Sequence, residues 1–485
     1  MTSVTYDLIV RGGTVVSPAA VAPIDIAVSG ERIAAVAPAG SLEGDAAKVI
    51  DATDRLVIPG GVDPHCHWNL GWGAAKSEGQ EHSWAAAWGG TTTIIDFAFQ
   101  EGDVPLHDAV AAKRAELDGT IAVDYGLHVL LSGNTSFEVM EEIGDVIRGG
   151  IPTVKTMTTY GWMSDDGHRY GVMTEVAKHG GLSIVHAEDD ALASWLTKKY
   201  VREGKTHGGY VAETRGPLVE ELAVRRCLLL AERTGSPLYI FHMAAASGVQ
   251  ALADARARGL PMYGETLSVY LSYTAEKLFD DAGRGLLVSN LPPIKFQEDQ
   301  DALWAALADD RLQVVSSDHY GLSAEARYVH QGTRVDTPQG GQNAVEMRVP
   351  VLFHRGVHEG RIGLRRFVEL IASNPAKIMG LYPRKGALAP GSDADIVVID
   401  PRRRWTVRAD EHHMGGDYNP WEGWELTGKV VTTILRGTPL LEEERWTATK
   451  TAGRFLPRTL IPEIIGPAPD HPVTFESERQ SAAAG

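Results

Sequence analysis

Six candidate metal ligands each close a short apolar run, and that spacing restricts the chain to a fold in which strand ends converge. His65 and His67 end Gly-Val-Asp-Pro-His-Cys-His, Lys155 ends Ile-Pro-Thr-Val-Lys, and His186 ends Ser-Ile-Val-His. His242 in Leu-Tyr-Ile-Phe-His-Met and Asp318 in Val-Val-Ser-Ser-Asp-His complete the set. Runs of this kind read as buried strands. In a (β/α)8 barrel all strand C-termini gather on one face, where reactive side chains collect. Residues 253 positions apart (318 minus 65) would then share one pocket.

The middle of the chain, 58–386, alternates strand-like and helix-like runs, the pattern of a parallel α/β fold. Strands are expected at 57–67, 91–98, 125–131, 151–159, 182–188, 237–243, 261–266 and 312–318, and segments such as 216–234 and 364–380 carry helical apolar spacing. Eight strands suit a closed barrel. A dinucleotide-binding open sheet is disfavoured, because no Gly-x-Gly-x-x-Gly follows the first strand. Residues 1–57 and 387–440 have a different texture, with short β runs and turn signals such as Gly12-Gly13 and Ser29-Gly30. They are expected to form one small β-sandwich from both chain ends. From 441 to 485 the chain is a tail, Pro-rich around Pro467-Ala468-Pro469. Its apolar part is expected to pack as an arm on a neighbouring subunit, and its last ten or so residues to be disordered.

Composition narrows the partners. A net charge of −17 without any basic block argues against nucleic acid or an anionic membrane. No apolar run approaches the ~20 residues of a membrane-spanning helix. The opening Met-Thr-Ser-Val-Thr-Tyr-Asp lacks the basic-then-apolar layout of a signal peptide, and two cysteines give no disulfide framework. A cytoplasmic location is therefore expected. Cys66, between two candidate ligands on a strand, points to the opposite face.

His65 and His67, two apart on a strand, can hold one ion together. Lys155 is the unusual member. An ammonium beside divalent cations is repelled, and burial works against its charge. Two states remain: a neutral amine, or a lysine carboxylated by carbon dioxide, whose carbamate can bridge two metals. His186 and His242 add neutral nitrogen ligands and Asp318 a carboxylate, a set suited to zinc ahead of manganese or cobalt. Two such ions close together lower the pKa of a water and polarise a carbonyl. Asp318 is then placed to take the proton and deliver it to a leaving nitrogen.

With these residues in hand, the chain resembles the cyclic amidohydrolases of the hydantoinase and dihydropyrimidinase family, from about residue 5 to 438. The ligand set carries the likeness, with Ala87-Trp88-Gly89-Gly90-Thr91-Thr92-Thr93-Ile94-Ile95-Asp96-Phe97 and Ser373-Asn374-Pro375-Ala376-Lys377-Ile378. Gly391-Ser392-Asp393-Ala394-Asp395-Ile396-Val397 and Asp417-Tyr418-Asn419-Pro420-Trp421-Glu422-Gly423 fit as well. The resemblance implies a distorted barrel, a binuclear centre bridged by carboxylated Lys155, and a homotetramer or homodimer. It implies hydrolytic opening of a hydantoin or dihydropyrimidine ring to an N-carbamoyl amino acid. Tyr160 would stabilise the oxyanion, Ser289 and Asn290 would bind the cyclic amide, and Gln339 and Asn343 compete for a further contact.

The chain departs from the family pattern after His67, at Trp68-Asn69-Leu70-Gly71-Trp72-Gly73, and after Asp318, at His319-Tyr320-Gly321-Leu322. Trp68 and Trp72 either line the pocket or pack against a loop. His319 and the pair His412-His413 are expected to brace structure. Allantoin or another cyclic imide is the alternative substrate. Dihydroorotate is disfavoured because no arginine motif adjoins His67. A non-catalytic scaffold role is discounted, since all six ligands are present.

Overall fold

The computed structural model describes residues 5–68, 79–280, 284–321, 323–329, 333–448 and 452–466. Eight parallel strands follow one another around the centre: Gly61–Asp63, Thr91–Gln100, Asp124–Leu131, Thr153–Met157, Leu182–His186, Leu238–Ile240, Met262–Leu267 and Val314–Ser316. Each overlaps one expected strand. Thr91–Gln100 and Asp124–Leu131 are buried along nearly their whole length, because helices cover one face and barrel side chains fill the other. Those helices include Leu106–Leu117, Asp166–Lys178, Pro217–Thr234, Ala246–Ala257 and Gln297–Ala308. Pro217–Thr234 starts on a proline, which needs no N–H partner there, and stops at Gly235 with φ 69°, where a Cβ would be strained. The turn delivers Leu238–Ile240 into the sheet.

The expected first strand, 57–67, is in fact three pieces. Leu56–Pro59 pairs with Thr14–Val16 and Ile396–Thr406 in a second sheet. Gly61–Asp63 pairs with Thr91–Gln100 in the barrel, and Cys66–His67 pairs with His319–Tyr320. The breaks have local causes. A Cβ on Gly60 would lie 2.1 Å from Thr92 Oγ1, so the chain crosses there at backbone distance. Pro64 brings no N–H to a ladder.

Among the described residues, Gly61–Asp63 and Val314–Ser316 share no ladder, so the barrel has a seam. Arg348, fully buried, spans it. Its Nη1 donates to Val62 O and Val315 O, both at 3.1 Å, and its Nη2 donates to Thr91 Oγ1 at 3.0 Å. Its Nε sits 3.5 Å from Asp63 Oδ2. Asp63 Oδ1 in turn accepts from Ser317 N at 3.2 Å. The seam is closed by an ion pair and side-chain hydrogen bonds, with the Cys66–His67 and His319–Tyr320 ladder above it.

The second sheet has ten strands, six from Thr5 to Pro59 and four from Ile396 to Trp446. Leu8, Val10, Ile26 and Val28 share one apolar cluster with Ile396, Val398 and Ile434, so both chain ends close on a common core, as expected. Residues 452–466 pack on the barrel of their own chain: Leu456 N donates to Tyr125 O at 2.7 Å, and buried Arg458 bonds Thr153 Oγ1 at 2.7 Å and Met379 O at 3.1 Å. The expected disordered end lies outside the described residues. Among the described residues no helix is long and apolar enough to cross a membrane.

Replacing Arg348 with methionine would leave Asp63 buried without its cation, a change that costs about 3–5 kcal/mol. The expected outcome is a lower urea midpoint for Arg348→Met; an unchanged midpoint would show that the seam holds without it.

Candidate metal centre

All six ligand candidates meet at the mouth of the barrel. His65 Nε2 lies 3.1 Å and His67 Nε2 3.4 Å from Asp318 Oδ1, and the two Nε2 atoms are 3.2 Å apart. These three residues form a group able to hold an ion. The His65 and His242 rings lie 5.3 Å apart, and the His242 and His186 rings 4.4 Å apart. Lys155 is buried, its Nζ 4.4 Å and 4.7 Å from the ring centres of Phe97 and Phe241. The same rings stack on His67 and His65. Cys66 turns away, its Sγ 3.5 Å from Ser317 Oγ, as strand alternation requires.

Strain collects here. Of eight described non-glycine residues with positive φ, three are site candidates: Tyr160 at 65°, His242 at 38° and Asp318 at 49°. Side chains rarely adopt this region, and such residues persist where surrounding contacts over-determine them.

The charge states suit a cation. Burial pushes all four histidines below their usual value, and the Lys155 charge adds to it. Imidazole is then neutral, the form that ligates. Burial pushes the Lys155 amine down to about 8, against the pull of Asp318 and Glu265. Among the described residues no carboxylate lies within ion-pairing distance of it. Burial also raises the Glu265 carboxyl, with Asp63 and Asp318 adding repulsion. Crowded carboxylates, neutral histidines and a lysine whose amine is more easily deprotonated than usual suit a divalent ion, so the donor set fits a metal centre.

Two carboxylates that sequence reading passed over organise these ligands. Glu265 Oε1 lies 2.7 Å from His65 Nδ1, and its other oxygen accepts from the Tyr239 hydroxyl at 2.9 Å. With Nδ1–H held by Glu265, the His65 Nε2 lone pair faces the centre. Glu188 Oε2 gathers His186 Nε2 at 2.9 Å, the Tyr160 hydroxyl at 3.0 Å and Arg215 Nη1 at 3.2 Å. Burial alone would raise Glu188, but the Arg215 guanidinium and the bond from His186 hold it at about 2. Glu188 ends the expected strand 182–188 and Glu265 is the last residue but one of 261–266, so the rule that found the ligands comes close to both.

On the substrate side, Asn290 Nδ2 donates to Asp318 Oδ2 at 2.9 Å, and Asn290 Oδ1 accepts from Gly341 N at 2.7 Å. The Ser289 carbonyl accepts from Gln342 Nε2 at 2.5 Å and Arg327 Nη1 at 2.9 Å. Gln339 and Asn343, the residues expected to contact the substrate, lie on the same loop. Gln339 bonds Gly340 O at 3.2 Å, and Asn343 Nδ2 donates to Tyr418 O at 3.1 Å. His319 Nδ1 accepts from Ala344 N at 3.1 Å, and His413 binds Glu346 at 2.7 Å and 3.1 Å while stacking on Trp88. Both brace loops. Trp68 is fully buried in the main core, which favours packing; Trp72 lies outside the described residues.

A family model described as "Amidohydrolase family" matches residues 56–440. A D-hydantoinase from Streptomyces coelicolor is 37% identical over 459 residues, 93% of this chain and 97% of that protein. The chain belongs to the amidohydrolase family, among its hydantoinases and dihydropyrimidinases. A D-hydantoinase from Geobacillus stearothermophilus is 35% identical over 93% of this chain and 96% of its own. The crystal structure of dihydropyrimidinase from Brevibacillus agri superposes with a TM-score of 0.88 at 34% identity, covering 93% of this chain and 98% of that one. This amidohydrolase is accordingly a hydrolase, and the family implies a divalent metal centre.

Removing the charge of Glu265 should loosen the tautomer of His65. Glu265→Gln is expected to weaken metal affinity by about 10–100-fold, read by competition against a chelating dye. Unchanged affinity would show that Glu265 does not set the ligand.

Proposed function

We propose that this amidohydrolase opens a hydantoin or dihydropyrimidine ring at its amide C–N bond, giving an N-carbamoyl amino acid. The observation that carries this reading is the convergence of four neutral histidines, Asp318 and a buried Lys155 of lowered pKa on one mouth. A neutral amine reacts with carbon dioxide, and the lowered pKa enlarges the neutral fraction, so Lys155 would supply a carbamate as a shared ligand for two ions, zinc ahead of manganese or cobalt. His65 and His67 would hold one ion, His186 and His242 the other, and Asp318 would complete the site. When bound, the ions supply a water of lowered pKa and polarise the substrate carbonyl.

Asp318 performs the proton work. Its Oδ1 faces the His65 and His67 nitrogens, while Asn290 steadies Oδ2. It accepts the proton of the attacking water and returns it to the departing ring nitrogen, which prevents reclosure. Tyr160 offers the oxyanion its O–H. Glu188 and Arg215 hold that phenol at the rim, and turning the O–H from Glu188 to a substrate oxygen exchanges one hydrogen bond for another. Asn290 and the Ser289 segment receive the flat face of the amide, with Gln339 and Asn343 on the flanking loop. The Trp68 burial leaves the ring substituent to other walls.

We also propose a homotetramer or homodimer in the cytoplasm; two buried free cysteines suit a reducing compartment. The division into 1–57 with 387–440, 58–386 and a tail is supported by the change of sheet at Gly60.

The test is a ring-opening assay on metal-reconstituted protein with bicarbonate, using hydantoins, dihydrouracil, allantoin and simple imides, followed by product mass. Turnover is expected for a hydantoin or dihydropyrimidine, lost on chelation and regained with metal. Asp318→Asn should lower kcat by about 10²–10⁴-fold and Tyr160→Phe by about 10²–10³-fold. Near-normal turnover in Asp318→Asn would sink the mechanism.

A further inference from the structure

Arg327 lies on the short helix Ala324–Val329 and is 1% exposed. Its Nε donates to the Tyr418 hydroxyl at 2.9 Å, and its Nη1 donates to Ser289 O at 2.9 Å and Gln339 O at 3.5 Å. Its Nη2 is buried and has no partner. Among the described residues no carboxylate lies within ion-pairing distance. The neighbourhood is apolar, a small cluster of Leu287, Tyr320 and Tyr418 with Ala324 and Tyr328 against it. A guanidinium stays charged at every working pH, and in such surroundings it calls for a counter-charge.

Comparison with other buried arginines sharpens the point. Arg348 has Asp63 at 3.5 Å. Arg458, also without a carboxylate, has both terminal nitrogens on oxygen acceptors. Arg327 leaves a terminal nitrogen empty, and it does so beside the machinery already described. Ser289, whose carbonyl it holds, precedes Asn290, and Asn290 holds Asp318 at 2.9 Å. Gln339, its other carbonyl partner, belongs to the loop that faces the same segment.

We propose that Arg327 reads an anionic substituent on the substrate: a cyclic amide whose ring side chain ends in a carboxylate, one oxygen of which takes Nη2. This rests on the ring-opening reading. It places recognition of the acid on the Ser289 side of the pocket and not beside His67, where no arginine motif stands. Arg327 would do two things at once, fixing the Ser289 carbonyl through Nη1 and selecting the substituent through Nη2. The planar fork separates these tasks, since neighbouring nitrogens point at different acceptors.

The experiment compares hydantoin-5-acetic acid with its neutral amide on the metal-loaded, full-length enzyme. The wild type should favour the acid by about tenfold or more in kcat/KM, chiefly through KM, as a charge-assisted hydrogen bond would give. In Arg327→Met that ratio should fall to about one, and Arg327→Lys should restore part of it. The wild-type comparison needs no variant, so it decides even if Arg327→Met fails to fold. A wild type that opens the amide as well as the acid overturns the proposal while leaving ring opening intact. A variant that loses both substrates in equal proportion makes Arg327 a strut and overturns it too. A wild type that opens neither ring, nor any other in the wider panel, removes the ring-opening reading and this inference with it.

Discussion

The pairing of Asp63 with Arg348 is the constraint on which the rest of this molecule depends. A barrel of parallel strands must join its last strand to its first, and here the strands meet without a ladder of their own. Asp63 closes the gap at both levels. Its Oδ2 faces the guanidinium that binds Val62 and Val315, and its Oδ1 accepts from Ser317 N. His65 and His67 follow on one side of this seam and Asp318 on the other. The 3.1 Å approach of His65 to Asp318 is thus a property of the closure. Ligands drawn from opposite sides of a joint keep their spacing only while the joint holds.

Around that joint the protein holds a costly arrangement. Three residues keep left-handed backbone angles, a lysine is buried against two phenylalanine rings, and several carboxylates share a volume with little water. Each would be unfavourable alone. Together they form a crowded site that fits the divalent metal centre its family implies. Supporting groups do much of the ordering: Glu265 fixes His65, Glu188 unites His186, Tyr160 and Arg215, and Asn290 fixes Asp318. Strain, burial and orientation are therefore parts of one device.

Much of this was legible in the chain itself, because apolar runs ending in a polar residue encode both a strand and what it carries. His65, Lys155, His186, His242 and Asp318 all stand where those runs stop. The same rule reaches Glu188 and comes within one residue of Glu265, whose contacts are with His186 and His65 respectively. What stayed hidden depends on contacts without local signal. Gln342 grips the Ser289 carbonyl and Asn343 bonds Tyr418 O, side-chain hydrogen bonds that set the register of that loop. The break at Gly60 reflects a collision with Thr92, 32 residues on (92 minus 60). Arg458 seats the tail on its own barrel through Thr153 and backbone oxygens far away in sequence.

One residue, Gly60, separates the strand that enters the terminal sheet from the strand that opens the barrel. The partner that holds Leu56–Pro59 on one side, Ile396–Thr406, lies 337 positions further along the chain (396 minus 59). Among the described residues Leu56–Pro59 has only Thr14–Val16 to pair with until that segment emerges, whereas Gly61–Asp63 meets its barrel partner, Thr91–Gln100, far earlier. Long-range pairings of this kind are slow to form and leave strand edges open in the meantime. The two sides of Gly60 are thus completed at different times: the barrel strand early, and the terminal sheet that anchors it only once Ile396–Thr406 has been made.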